Sequence, residues 1–242
     1  MKFTTALVST VLAFTSFAEA APRNTRRTDS SKPLSLTAQL RLADTAADRF
    51  ALLPDDDDFV FDFNKKQDNP GKGGEIIAAN RANFPALVGT GAGMAFGRID
   101  PCGMNTLHVH PRSAELQVVT SGRLITEMVP ENGVLDKDGK RRVIRTELTA
   151  NMMTPFYQGS IHTQFNPDCE PATFIATFAT EDFGTGQIAD ELVSLSDDVI
   201  AATFGQSIAG EDIDKVRQAV PKSIALGVDK CLETCGLKKR SI

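Results

Sequence analysis

Residues 103–122 read GMNTLHVHPRSAELQVVTSG. His108 and His110 stand two apart. Side chains at i and i+2 of a strand project from the same face, so both imidazoles point one way. Pro111-Arg112-Ser113 can turn the chain, and Glu115 then opens the next strand and can return to that face. Farther on, residues 159–166, GSIHTQFN, place His162 on another short strand. The protein has three histidines, and this pattern uses all of them. Three neutral imidazoles and one carboxylate suffice to hold a first-row divalent metal. On spacing alone, strand histidines that merely hydrogen-bond account for the pattern equally well.

The surrounding texture is that of short strands. Apolar or alternating runs fall at 93–99, 106–110, 116–120, 123–129, 142–148, 152–157, 161–165 and 173–180, with turn residues between them. Ser121-Gly122 is a tight turn, and Glu131-Asn132-Gly133 and Lys137-Asp138-Gly139 punctuate a longer loop. Many short strands at this spacing predict an antiparallel sandwich or barrel over residues 85–195. Ahead of it, 28–84 reads as an N-terminal extension, with helical spacing at Leu34–Arg49. The run Asp55-Asp56-Asp57-Asp58 lacks the glycine turn of a calcium loop and reads as a solvated loop. Behind it, 196–242 reads as a C-terminal helical segment, with helical spacing at 197–204, 210–220 and 223–234.

The first residues carry a processing signal. Lys2 precedes the apolar run Ala6–Phe17, which is too short to span a bilayer, and Ala18-Glu19-Ala20 has a small-x-small form. Residues 1–20 therefore read as a secretory signal peptide, and the dibasic Arg26-Arg27 could end a pro-segment at 21–27. Residues 1–27 carry four basic side chains and one acid, so the remainder holds 22 basic and 30 acidic residues, a net charge of −8. Such a surface disfavours nucleic acid and anionic membranes as partners. No Asn-x-Ser/Thr sequon is present. The four cysteines, at 102, 169, 231 and 235, are an even set in a chain expected outside the cell, which makes disulfides the expectation.

The two histidine stretches together resemble the cupin superfamily, of the germin and spherulin type. His108, His110, Glu115 and Gly122 match the later part of the first cupin motif, whose leading glycine falls at Cys102. Gly159, His162 and Asn166 match the second, whose first glycine falls at Asn151 and whose proline falls at Tyr157. The resemblance implies an all-β core, the cupin double-stranded β-helix or jelly-roll barrel, with a C-terminal helical extension. It implies that His108, His110, Glu115 and His162 hold a metal, Mn(II) first, with Fe(II) or another divalent transition metal in its place. It implies a homo-oligomer, trimer or hexamer, and a small-molecule ligand or substrate. Antiparallel pairing of the two motif strands implies a Cys102–Cys169 bridge, leaving Cys231 and Cys235 as a second pair. Oxalate oxidases of the germin type use two asparagines near the metal. Asn105 stands at one position, and Ala95 stands at the other. Gln164, with Gln117 and Asn166, alternates onto the ligand face, and Asn105 and Gln164 are candidate catalytic residues. The implied activity is a metal-dependent oxidoreductase acting on an oxalate-like carboxylate or on superoxide. The alternatives are a non-catalytic, spherulin-like coat protein and a small-ligand binding cupin.

Overall fold

The computed structural model describes residues 33–67, 70–208, 210–221, 223–227 and 229–237. The expected signal peptide and pro-segment lie outside these residues. The described residues from Ser35 onward form one compact unit. Its elements, in chain order, are α1 (Leu36–Leu42), α2 (Ala46–Ala51), β1 (Gly74–Ala79), β2 (Gly93–Ile99), β3 (Gly103–Val109), β4 (Glu115–Ser121), β5 (Arg123–Val129) and β6 (Ile144–Thr149). Then follow β7 (Met153–Phe156), β8 (Ile161–Phe165), β9 (Ala172–Phe178), β10 (Gly186–Gln187), α3 (Ile188–Val193), α4 (Asp197–Thr203), α5 (Gly210–Ala219), β11 (Ile224–Leu226) and α6 (Asp229–Thr234).

The expected all-β jelly roll is present as two antiparallel sheets. One runs β1-β2-β9-β4-β7 and the other β10-β3-β8-β5-β6, with β10 and β11 sharing the outer edge of β3. The registers stack the inward side chains in layers. At one end, Phe178, Glu115 and Phe156 of the first sheet form a row, and His108, His162 and Met128 form a row of the second. The next layer is Ala78-Ala95-Ala176-Gln117-Thr154 in the first sheet and Ile224-Asn105-Gln164-Thr126 in the second. Below these lies the apolar base, where Ile99, Val119, Leu124, Leu148 and Phe174 are buried together. The polar layers thus sit on a hydrophobic floor that fixes their strands.

Three elements differ from the sequence reading. The helix read across Leu34–Arg49 is two helices, because Ala43 is extended and Thr45 caps a new start, its hydroxyl accepting from the Asp48 N–H at 3.2 Å. The strand β1 lies ahead of residue 85 and joins the first sheet along its whole length. The helix read across 223–234 divides into β11 and α6, with Gly227 between them at φ 146°. A close approach explains the strand: a Cβ on Gly73 would lie 2.0 Å from the Ala225 carbonyl oxygen, so only glycine lets β11 run there. The four-aspartate run is a single 3₁₀ turn, Asp56–Phe59, with Asp55–Asp57 exposed to water as expected.

The cysteine pairing is also corrected. The bridges are Cys102–Cys231 and Cys169–Cys235, with Cα–Cα distances of 5.5 and 5.4 Å, and no Cys102–Cys169 bond forms. Asn166 is the reason. Its side-chain oxygen accepts from the Asp168 N–H at 2.9 Å and turns the chain out of the β3–β8 ladder. Cys169 is thereby carried past the position opposite Cys102. The space is taken by α6, and its Cys231 and the Cys235 just past its end stand one turn apart and reach both partners.

Candidate metal centre

The four candidate ligands converge. His108 comes from β3, His110 from the residue just after its end, Glu115 from the first residue of β4, and His162 from β8. Their ligand atoms all lie within 4.8 Å of one another, and all four residues are buried. The expected strand geometry holds with one addition. Asn105 and His108 are three apart, which on a regular strand would oppose them. A register irregularity between the two residues in β3 turns both inward.

Each imidazole is held by its outer nitrogen. The Nδ1 atoms of His108, His110 and His162 lie 2.7, 2.7 and 2.8 Å from the carbonyl oxygens of Thr106, Gly184 and Ser160. An Nδ1–H donated to a carbonyl fixes the tautomer and leaves the Nε2 lone pair facing inward. Ring contacts fix the planes. Phe156 stacks on His162 at 4.2 Å, and Phe178 meets His110 edge-on at 4.7 Å. The Glu115 Oε2 atom lies 2.8 Å from His110 Nε2 and 3.3 Å from His162 Nε2.

Protonation follows from this packing. Burial, then the neighbouring His162, pushes His108 down to about 3, so it is neutral near pH 7. Burial pushes Glu115 upward, but the contacts from His110 and His162 together outweigh it and hold the carboxyl at about 2. A neutral imidazole and an ionised carboxylate are the forms that bind a metal. With Nδ1 of each ring beside a carbonyl oxygen, three Nε2 atoms and the Glu115 carboxylate face one point, where a divalent cation would take the place of protons held between Glu115 and the imidazoles. The donor set fits such an ion.

A cavity of about 280 Å³ opens beside the cluster. His108, His110, Glu115 and Asn105 line one part, and Ala78, Ala95 and Ala176 line another. Asn105 donates from Nδ2 to Gln164 Oε1 at 3.0 Å, and the same nitrogen lies 3.3 Å from His108 Nε2. Gln164 and Gln117 are fully buried, and the Gln117 amide has no hydrogen-bond partner among the described residues. Asn166, the other amide read onto this face, instead donates to the carbonyls of Ile99, Asp100 and Glu170. Ala95 places no amide at the second asparagine position. The sequence reading missed Gln67, Thr185, Gln187, Ser223 and Ile224 as cavity residues. Only Gly71 and Gly73, which admit β11, signalled any part of this.

Comparison with known proteins agrees with the fold. Residues 62–212 match the family profile described as Cupin, and the chain belongs to the cupin family. Within it, the chain is 36% identical over 203 residues to Spherulin-1A of Physarum polycephalum, covering 83% of this chain and 79% of that protein. It is 31% identical over 163 residues to the probable germin-like protein subfamily 2 member 5 of Arabidopsis thaliana, covering 66% of this chain and 72% of that one. In fold it is similar to an oxalate oxidase solved in complex with the substrate analogue glycolate. The TM-score is 0.59 at 19% identity, over 68% of this chain and 81% of that one.

Proposed function

We propose that this protein is a secreted, manganese-holding cupin that acts as an oxidoreductase on a small carboxylate or on superoxide. The observation that carries the reading is the convergence of His108, His110, Glu115 and His162, with every Nδ1 atom tied to a carbonyl oxygen. Bound there, a redox-active divalent ion would supply Lewis acidity and one-electron chemistry, with Mn(II) or Fe(II) suited to mixed nitrogen and oxygen ligands. The chain's own residues bind and orient. Asn105 is the catalytic candidate, because its Nδ2 faces both the ligand cluster and Gln164. Gln164 acts through Asn105 and is a positioning residue. Phe156, Phe178 and Phe183 exclude water from the imidazoles.

The kinship in fold to an oxalate oxidase supports an oxalate-like substrate. In that reaction oxalic acid and dioxygen yield two molecules of carbon dioxide and one of hydrogen peroxide. In the alternative, two superoxide ions and two protons yield dioxygen and hydrogen peroxide. The two disulfides support a location outside the cell. Exposed Met94, Leu116 and Met153 on the outer face of the first sheet support assembly into a trimer or hexamer.

Ala95 favours a second reading. It leaves Asn105 as the one asparagine lining the cavity among the described residues, and the likeness to Spherulin-1A covers more of the chain than the germin-like match. In this reading the metal braces the barrel of a coat protein and no turnover occurs. Peroxide release from oxalate and superoxide dismutation, both measured on metal-loaded protein, decide between them. Turnover in either assay supports the oxidoreductase. Silence in both, with metal fully bound, supports the coat protein.

A further inference from the structure

The shape of the cavity carries the reading to a substrate class. Ala78, Ala95 and Ala176 stand side by side in register on β1, β2 and β9. The inward rows on either side of them are Gly93 and Phe178 on one and Ile76, Gly97 and Phe174 on the other, with the Phe183 ring against Gly93 and the Phe174 ring against Gly97. One row of methyl side chains between two rows filled by rings leaves a trough beside the ligand cluster. Ile224 of β11, paired with Asn105, closes it from the facing sheet.

The polarity of the trough is one-sided. Among the described residues that line it there is no Lys or Arg. Among the described lining residues the four-ligand cluster, through its ion, is where a full negative charge is neutralised, and Asn105 stands beside it as a hydrogen-bond donor. Gln67 donates to the Ile76 carbonyl and Gln187 Oε1 accepts from Thr106 at 2.7 Å, while the Gln187 Nε2 and the Thr185 and Ser223 hydroxyls are neutral groups on the lining. A second carboxylate laid on the alanine row would meet methyl groups and lose its hydration uncompensated. An apolar tail there would gain instead.

We infer that the cavity takes a monocarboxylate with a short apolar tail, its carboxylate at Asn105 and the ligand cluster and its tail on Ala78, Ala95 and Ala176. The inference rests on the metal-holding reading above, keeps its small-carboxylate class and sets a monocarboxylate in place of an oxalate-like one. The test is calorimetric titration of formate, butanoate, hexanoate and oxalate into the Mn(II)-loaded full chain, with metal content measured in parallel. Each buried methylene contributes about a three- to fourfold gain in affinity. Butanoate should therefore bind at least about tenfold more tightly than formate, and more tightly than oxalate. Ala95→Leu fills the trough and should erase the gain from the tail, lowering butanoate affinity about tenfold or more while formate still binds. Should that variant fail to fold, Ala176→Val serves, and the wild-type series decides by itself. Equal affinities for formate and butanoate on metal-loaded protein, or oxalate bound most tightly, overturn this inference alone. A chain that takes up no metal overturns the underlying reading and this inference with it.

Discussion

Each of the three histidines has its Nδ1 beside a backbone carbonyl oxygen, and His110 and His162 turn Nε2 toward Glu115. This arrangement has a pH signature in the metal-free chain. His108 is held at about 3 in the fold against an ordinary 6.5, so between those values the unfolded chain binds more protons. Its contribution to stability is complete above 6.5 and is lost as pH falls toward about 3. Glu115, held at about 2 against 4.5, acts in the same direction lower down, complete above 4.5 and lost toward about 2. The melting temperature of metal-free protein should therefore fall steadily from about pH 7 to about pH 4, and a flat profile would contradict the assignment. A second expectation concerns Asn105. Asn105→Ala should leave metal content unchanged and weaken carboxylate binding about ten- to a hundredfold, as loss of one hydrogen bond to a charged group requires. Equal loss of metal would make Asn105 a support of the ligands instead. At this scale the sequence was highly legible. The four motif positions where glycine is usual, 102, 122, 151 and 159, have φ of 59°, 74°, 67° and 76°. Cys102 and Asn151 thus keep the left-handed backbone their substitution seemed to forfeit. The carbonyl partners were not legible, because a backbone oxygen leaves no mark in side-chain identity.

Strands with clean alternation were read with their observed bounds: β2, β5 and β8 are 93–99, 123–129 and 161–165. A buried inner face and a partly exposed outer one impose the period of two. The segment β11 was misread as helix because three strand residues beside a short helix carry too little periodicity to separate them. Its place depends on Gly73 and on Cys102, far away in sequence, and the bridging error has the same origin. The Cys102–Cys231 bond spans 129 residues and ties α6 to the start of β3, next to β11. A loop of that length corresponds to about 5 kcal/mol of lost chain entropy in the unfolded state, as an upper figure. Replacing both cysteines by serine should lower the melting temperature and speed amide exchange at Ile224–Leu226 before the central strands. Exchange unchanged at β11 would show that packing alone holds it.

The ligand cluster spans the whole molecule. Glu115 belongs to one sheet, and His108 and His162 belong to the other. An ion held between them would cross-link the jelly roll at the end opposite its apolar base. At about a hundredfold excess over its dissociation constant, such an ion adds about 2.7 kcal/mol of stability. For a domain of this size the melting temperature should then rise by about 5–10 °C and fall back on chelation. The most direct measurement is elemental analysis of the full-length protein purified from its natural source, before and after reloading, beside His162→Ala. The proposed function predicts one manganese or iron ion per chain in the native protein and a loss of affinity of at least about tenfold in the variant. A native chain carrying only a small fraction of an ion, unchanged by reloading, would contradict it.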